Sequence, residues 1–260
     1  MDVLFAESPT VFGTIHLAFV TLAILINIAV YHLIKNKRED FLLKLLWALG
    51  LFMMIAEVFK QWFCYTYIYD GQIALIYFPW QLCSLSMYLS FAAVYVKGKA
   101  QEAVLVYLST FSLLGAVMAL AYPEGMLLDE IVFTVHSFIY HALIITESMI
   151  AILILMKRVR PSFRGALLMY GVTVVIAELI NCLARLIIHD PAREPDMFYI
   201  NPFYMTTQPV FRDIAERSGV ALEIAVYLLC IVLASYLIFL VESRLFYSGT
   251  SHSYSGNSRS

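Results

Sequence analysis

Long stretches without a charged side chain are what most limit the folds open to this chain. Residues 11–34 contain no Asp, Glu, Lys or Arg, and neither do residues 103–123 or 224–241. A membrane-crossing helix needs about 20 mostly apolar residues, and each of these runs is about that long. Of the 260 residues, 62% are hydrophobic and 14% are charged, against about 45–50% and about 25% in a soluble domain. The excess apolar surface must lie against something other than water. Backbone polar groups inside lipid have to be satisfied within the chain itself, by helices or closed barrels. Helical spans of this length predict an all-α, polytopic membrane protein.

Hydropathy predicts seven transmembrane helices, at roughly 11–34, 41–67, 78–96, 101–122, 131–156, 165–188 and 219–241. Residues 1–247 form one seven-helix transmembrane domain in this reading. Residues 248–260 are a Ser- and Gly-rich tail, expected to be disordered and cytoplasmic. The first apolar run follows acidic residues and is longer than a cleavable signal core, so no secretory signal is expected. No internal repeat is visible.

Basic residues set the orientation. Lys35, Lys37 and Arg38 follow the first span, Lys97 and Lys99 the third, and Lys157, Arg158, Arg160 and Arg164 the fifth. The alternate loops carry Asp70, then Glu124, Asp129 and Glu130, then Asp190, Glu194 and Asp196. The basic loops are expected in the cytoplasm, which puts the N-terminus outside and the C-terminus inside. The longest connection, 189–218, then lies outside. It holds Pro191, Phe198, Tyr199, Pro202, Phe203 and Tyr204 and reads either as a lid or binding loop or as an interfacial aromatic belt.

Ionisable groups inside spans are costly and point to function by default. Glu57, Lys60 and Gln61 share a face of span 2, and Glu57 can pair with Lys60. Gln81 and Cys83 open span 3, and His136 and His141 lie in the outer half of span 5. Glu178, Asn181 and Arg185 share a face of span 6, Glu223 begins span 7, and His16 lies just inside span 1. Their common depth predicts a polar cavity open to the outside; a buried ion-pair network that fixes helix packing is the alternative.

Cys83 with a histidine is the sharpest chemical candidate, because a cysteine nucleophile needs a base beside it. Thr134, Ser137, His141 and Ser148 form one polar stripe, while His136 falls on another with Tyr140 and Glu147. Cys64, Cys182 and Cys230 read as packing residues, with an outer Cys64–Cys182 disulfide left open. No zinc or disulfide-scaffold spacing is present, and no metal or other cofactor is expected. A net charge of −2 leaves no nucleic-acid footprint.

Several stretches stand out in order: GTIHLAF with His16, AEVFK with Glu57 and Lys60, FPWQLCSLSMYL with Cys83, LLGAVMALAYP ending at Pro123, SFIYHALI with His141, ELINCLARL with Asn181, and MFYINPF. Together they resemble the YwaF family of bacterial integral membrane proteins. That family is distantly similar to the transmembrane protein 164 acyltransferases. This chain has Gln81 where the family often has histidine. The resemblance implies acyl transfer or acyl-ester hydrolysis on a lipid in a bacterial cell membrane. Cys83 would be the nucleophile and His141 the base, with His136 as the other candidate base. Gln81 or Asn181 would be oxyanion donors, and Glu57 and Lys60 would bind a head group or orient the histidine. His16 and Arg185 complete the expected supporting set, and membrane lipids are the expected partners.

A transporter or proton-coupled carrier using the same cavity is the main competing reading. A seven-helix sensor or accessory protein is another. The last span has no lysine for a retinal Schiff base, and NPFY at 201–204 falls in an outer loop.

Overall fold

A computed structural model describes residues 9–123, 125–158, 161–188, 190 and 193–247. The tail from 248, Glu124, Arg160 and Pro191, each singled out above, lie outside the described residues. Those described are all-helical, without strands. Six helical stretches are long and apolar enough to cross a membrane. They are α1 (Thr14–Ile34) and α2 (Glu39–Phe63, continued by a π turn at Cys64–Ile68). The third is α4 (Gly98–Tyr107), joined through a second π turn to α5 (Leu113–Ala121). Last come α6 (Ile131–Leu155), α7 (Phe163–Ile187) and α9 (Val220–Leu245).

The region expected as the third span behaves differently. Its only helix is α3 (Leu85–Ala92), eight residues long. That is about 12 Å of helix at 1.5 Å per residue, well short of a bilayer core of about 30 Å. Residues 78–84 run instead through turns, with Phe78 N–H donating to Leu75 and Trp80 N–H to Phe78. Pro79 is a physical reason: it has no N–H to donate and it drives the residue before it out of helical geometry. Hydropathy counts side chains and does not register this. Irregular backbone survives at membrane depth only when protein surrounds it, and Leu82 and Ser84 through Met87 are buried. Gly50 on α2 lets α3 come close. A Cβ there would stand 2.5 Å from the Phe91 nitrogen and 2.7 Å from the Met87 oxygen.

α4, α5 and α6 form the hub. Residues 103–108 and Phe111 are buried, as are Ile144, Ile150 and Ile154. α1, α7 and α9 pack around them with one face bare. Leu25, Ile28, Leu168, Val172, Leu229 and Leu233 are all exposed. A continuous apolar jacket of this kind belongs in hydrocarbon. Polar pairs join helices inside it: Asn27 Nδ2 donates to the Ala142 carbonyl (3.2 Å) and Thr146 Oγ1 to Asn27 Oδ1 (2.9 Å).

The basic connections meet at one end of the bundle. Lys157 Nζ donates to the Lys37 carbonyl, and Arg158 reaches both Glu39 and Gln101, each at 2.7 Å. Gln101 Nε2 in turn donates to the Ala93 carbonyl (2.6 Å). At the other end, Leu75 N–H donates to Arg193 (2.9 Å) and His16 reaches Leu120. The last connection carries a short 3-10 turn (Met197–Tyr199) and the amphipathic α8 (Pro209–Ser218).

Candidate functional site

Cys83 sits where the irregular 78–84 segment turns into α3. Its carbonyl accepts from Ser86 Oγ (2.9 Å), and its thiol faces Gly115 on α5. A Cβ at Gly115 would come within 2.9 Å of Cys83 Sγ, so the glycine is what leaves the sulfur its room. Cys83 packs against a buried cluster formed by Met53 from α2, Met87, Ala116, and Tyr140 and Ile144 from α6.

The two histidines of α6 differ in how they are held. His141 Nδ1 lies 2.7 Å from the Ser137 carbonyl. A carbonyl only accepts, so Nδ1 carries the proton, and in the neutral ring Nε2 keeps its lone pair. His136 stacks on Tyr140, with ring centroids 5.6 Å apart, and its Nε2 is buried without a partner. It also lines a small hollow between α2 and α6 with Phe59, Lys60, Phe63, Val132 and Phe133. Among the described residues, no hydrogen bond joins Cys83 to either histidine.

Glu57 and Lys60 pair at 2.7 Å, as their spacing predicts. Gln61 Nε2 donates to Glu57 (2.7 Å) and to the Tyr77 carbonyl. The buried carboxylate is thus charge-balanced from its own helix, and Gln61 ties it to the connection between α2 and α3.

Gln81 and Asn181 are both committed to backbone further along the chain. Gln81 Nε2 donates to the Asp196 carbonyl and Gln81 Oε1 accepts from Phe198 N–H, both at 2.7 Å. Asn181 Nδ2 donates to the Met197 carbonyl (3.2 Å), and its Oδ1 accepts from Met197 N–H (2.8 Å). Both amides therefore clasp one loop, where free oxyanion donors were expected. Phe198 and Tyr199 hold φ of 59° and 58°, a conformation that costs about 1–3 kcal/mol per non-glycine residue and persists only where the surroundings over-determine it. Here they do: Asn201 N–H donates to Asp196 Oδ1 (3.0 Å), and Asn201 Nδ2 and Tyr204 OH both donate to the Pro195 carbonyl (2.8 Å). Met197, Phe198 and Ile200 are buried, and Phe198 reaches the Tyr170 ring at 6.1 Å. The loop is a plug seated in that end of the bundle. Burial pushes the Asp196 carboxyl up to about 6, against the opposing hydrogen bond from Asn201 and with the Glu178 charge adding to the rise.

Two expected supporting residues lie apart from the thiol's packing shell. His16 donates from Nε2 to the Leu120 carbonyl and accepts at Nδ1 from Phe12 N–H, both at 2.9 Å. With both ring nitrogens committed to backbone, it tethers the start of α1 to the end of α5. Arg185 pairs with Glu194 at 3.6 Å and lies over the Phe203 ring at 4.4 Å, so it anchors the connection between α7 and α8. All four cysteines are unpaired, and Cys182 Sγ instead lies 3.9 Å from Glu178.

Tyr140 and Glu147 went unassigned in the sequence reading, although their spacing with His136 was visible. Both are buried. The Tyr140 hydroxyl and both Glu147 oxygens lack hydrogen-bond partners. The Ser86 and Ser90 hydroxyls neighbour the Glu147 carboxyl.

Six apolar spanning helices around a buried, partly polar centre define a multi-pass α-helical integral membrane protein. The chain belongs to the TMEM164 family, whose family model matches residues 11–242. Of the two relationships the sequence pointed to, this is the one shown. No curated protein and no solved structure matches the chain significantly.

Proposed function

We propose that this protein is an integral membrane acyltransferase or acyl-ester hydrolase that acts on lipids through Cys83 and His141. The observation that carries the reading is a thiol with room made for it. Cys83 Sγ lies against Gly115 within the bundle, where any larger residue on α5 would meet it. Membership of the TMEM164 family supports it, as does the fixed tautomer of His141, which leaves Nε2 free to take a proton.

In the first step Nε2 removes the Cys83 proton and sulfur attacks the ester carbonyl carbon. The tetrahedral adduct collapses, the carbon–oxygen bond to the alcohol breaks, and the departing oxygen takes the proton back from His141. The resulting thioester is attacked by an acceptor alcohol or water. His141 again removes the proton, and Cys83 leaves as the thiolate and is reprotonated. Lys60, paired with Glu57, and His136 line the hollow between α2 and α6, and in this reading they would meet the lipid head group.

The proposal includes seven membrane passes in a bacterial cell membrane, with the N-terminus outside. The irregular 78–84 segment and α3 together make the third pass. Support comes from the three basic connections, which share one end of the bundle. The functional test is covalent labelling with a chloroacetamide-bearing lipid. Labelling is expected to be lost in Cys83→Ala; labelling that persists there would remove the thiol from the mechanism.

A further inference from the structure

Acyl transfer needs a hydrogen-bond donor aimed at the oxyanion, and stabilising that charge is usually a large part of the catalysis. The two side-chain amides that looked suited to the task hold the plug loop instead. Another donor stands in the same packed cluster as Cys83. Tyr140 is only 6% exposed, and its hydroxyl has no hydrogen-bond partner. The Glu57 and Glu147 carboxyls, Cys83 and Tyr88 lie within electrostatic reach of it, yet none is bonded to it. A buried hydroxyl left without a partner is destabilising. It is stabilised once an acceptor enters the site.

We propose that the Tyr140 hydroxyl is a catalytic donor that binds the carbonyl oxygen of the acyl group on Cys83, so that the site takes carboxylic esters and thioesters. The assignment rests on the acyl-transfer reading above. Packing holds the ring: it stacks on His136 and belongs to one buried cluster with Met53, Met87, Ala116 and Ile144. A donor fixed in this way costs no reorganisation when charge develops on oxygen. As sulfur bonds to the carbonyl carbon, the carbon–oxygen π pair moves onto oxygen, which accepts from Tyr140 O–H. On collapse the pair returns and the alcohol leaves.

The test compares two reactions of one thiol in the purified full-length protein. Iodoacetamide alkylates sulfur with no oxyanion, whereas 4-nitrophenyl dodecanoate acylates it through one. Tyr140→Phe is expected to lower the acylation rate on the order of 10²–10³-fold while alkylation stays within about twofold. The melting temperature should hold or rise, because the lost hydroxyl had no partner. Unchanged acylation in Tyr140→Phe overturns the assignment, as does a fall in melting temperature, which marks a structural hydrogen bond. The unmutated protein gives a second reading that does not depend on folding of the variant. It should react faster with the ester than with the matching thionoester, whose sulfur accepts hydrogen bonds poorly, and equal rates would overturn the donor. Absence of Cys83-dependent acylation in the unmutated protein would instead sink the acyl-transfer reading, and the donor with it.

Discussion

His141→Ala and Cys83→Ser are expected to abolish lipid acyl transfer without unfolding the bundle. Serine is nearly isosteric with cysteine but a far weaker nucleophile at neutral pH, so that substitution separates chemistry from packing. The double variant should be no worse than either single one, since the two residues act as a unit. His136→Ala should be milder, because His136 shares its helix face with Tyr140 and Glu147 and not with the Ser137 and Ser148 stripe that carries His141. A dead His136→Ala with an active His141→Ala, measured in the same ester assay, would move the base. Asp196 gives a prediction of a different kind. Its folded carboxyl titrates near 6, above the ordinary 3.8. The neutral acid is therefore favoured when the loop is seated, and the charged form favours release. Seating is strongest at low pH and weakens as pH rises from about 4 to about 6, by up to about tenfold per unit. Hydrogen exchange at 195–201, corrected for intrinsic rates, should show this fall, and Asp196→Asn should flatten it.

Among the elements, the plug loop and the short helix α3 carry the most specific expectations. Gln81→Ala and Asn181→Ala each strand buried backbone groups of residues 196–198, at about 1–3 kcal/mol apiece. Limited proteolysis between 190 and 205 should speed up in both. The double variant should depart from additivity, because both amides hold one loop. α3 depends on Gly50. Gly50→Ala puts a methyl against the backbone of Phe91 and Met87, and overpacking of this sort costs about 1–3 kcal/mol. Gly171→Ala is the matched control. Nothing lies within 4 Å of the added carbon, and alanine is the better helix former by about 1 kcal/mol. Melting in detergent should fall for the first and hold or rise for the second. Equal behaviour would mean that α3 does not press on α2.

For the whole molecule the central expectation is topological. With seven passes and the N-terminus outside, a lone cysteine at position 97 should react only with permeant reagents. One at 193 should react from outside. Outside labelling at 97 would invert the orientation and put the plug loop in the cytoplasm.

Much of this molecule was legible in the chain alone. Hydropathy alone located the six long spanning helices among its seven expected spans, because hydrocarbon admits only backbone that satisfies itself. Helical spacing determined the Glu57–Lys60 pair, since i and i+3 always face one another. The grouping of the basic connections at one end was readable for a similar reason: parity alone decides which loops share a side. Tertiary structure decided the rest. That 78–96 would be half irregular segment and half short helix depended on Pro79 and on neighbours able to bury bare backbone, neither of which hydropathy weighs. Gln81 and Asn181 look like free donors in any sequence, and only the return of residues 196–198 into the bundle, more than a hundred positions after Gln81, commits them. The same holds for Tyr140. Its place on one helix face with His136 and Glu147 was plain from periodicity, but an unpartnered hydroxyl in the cluster that Cys83 packs against exists only once α3, α5 and α6 converge.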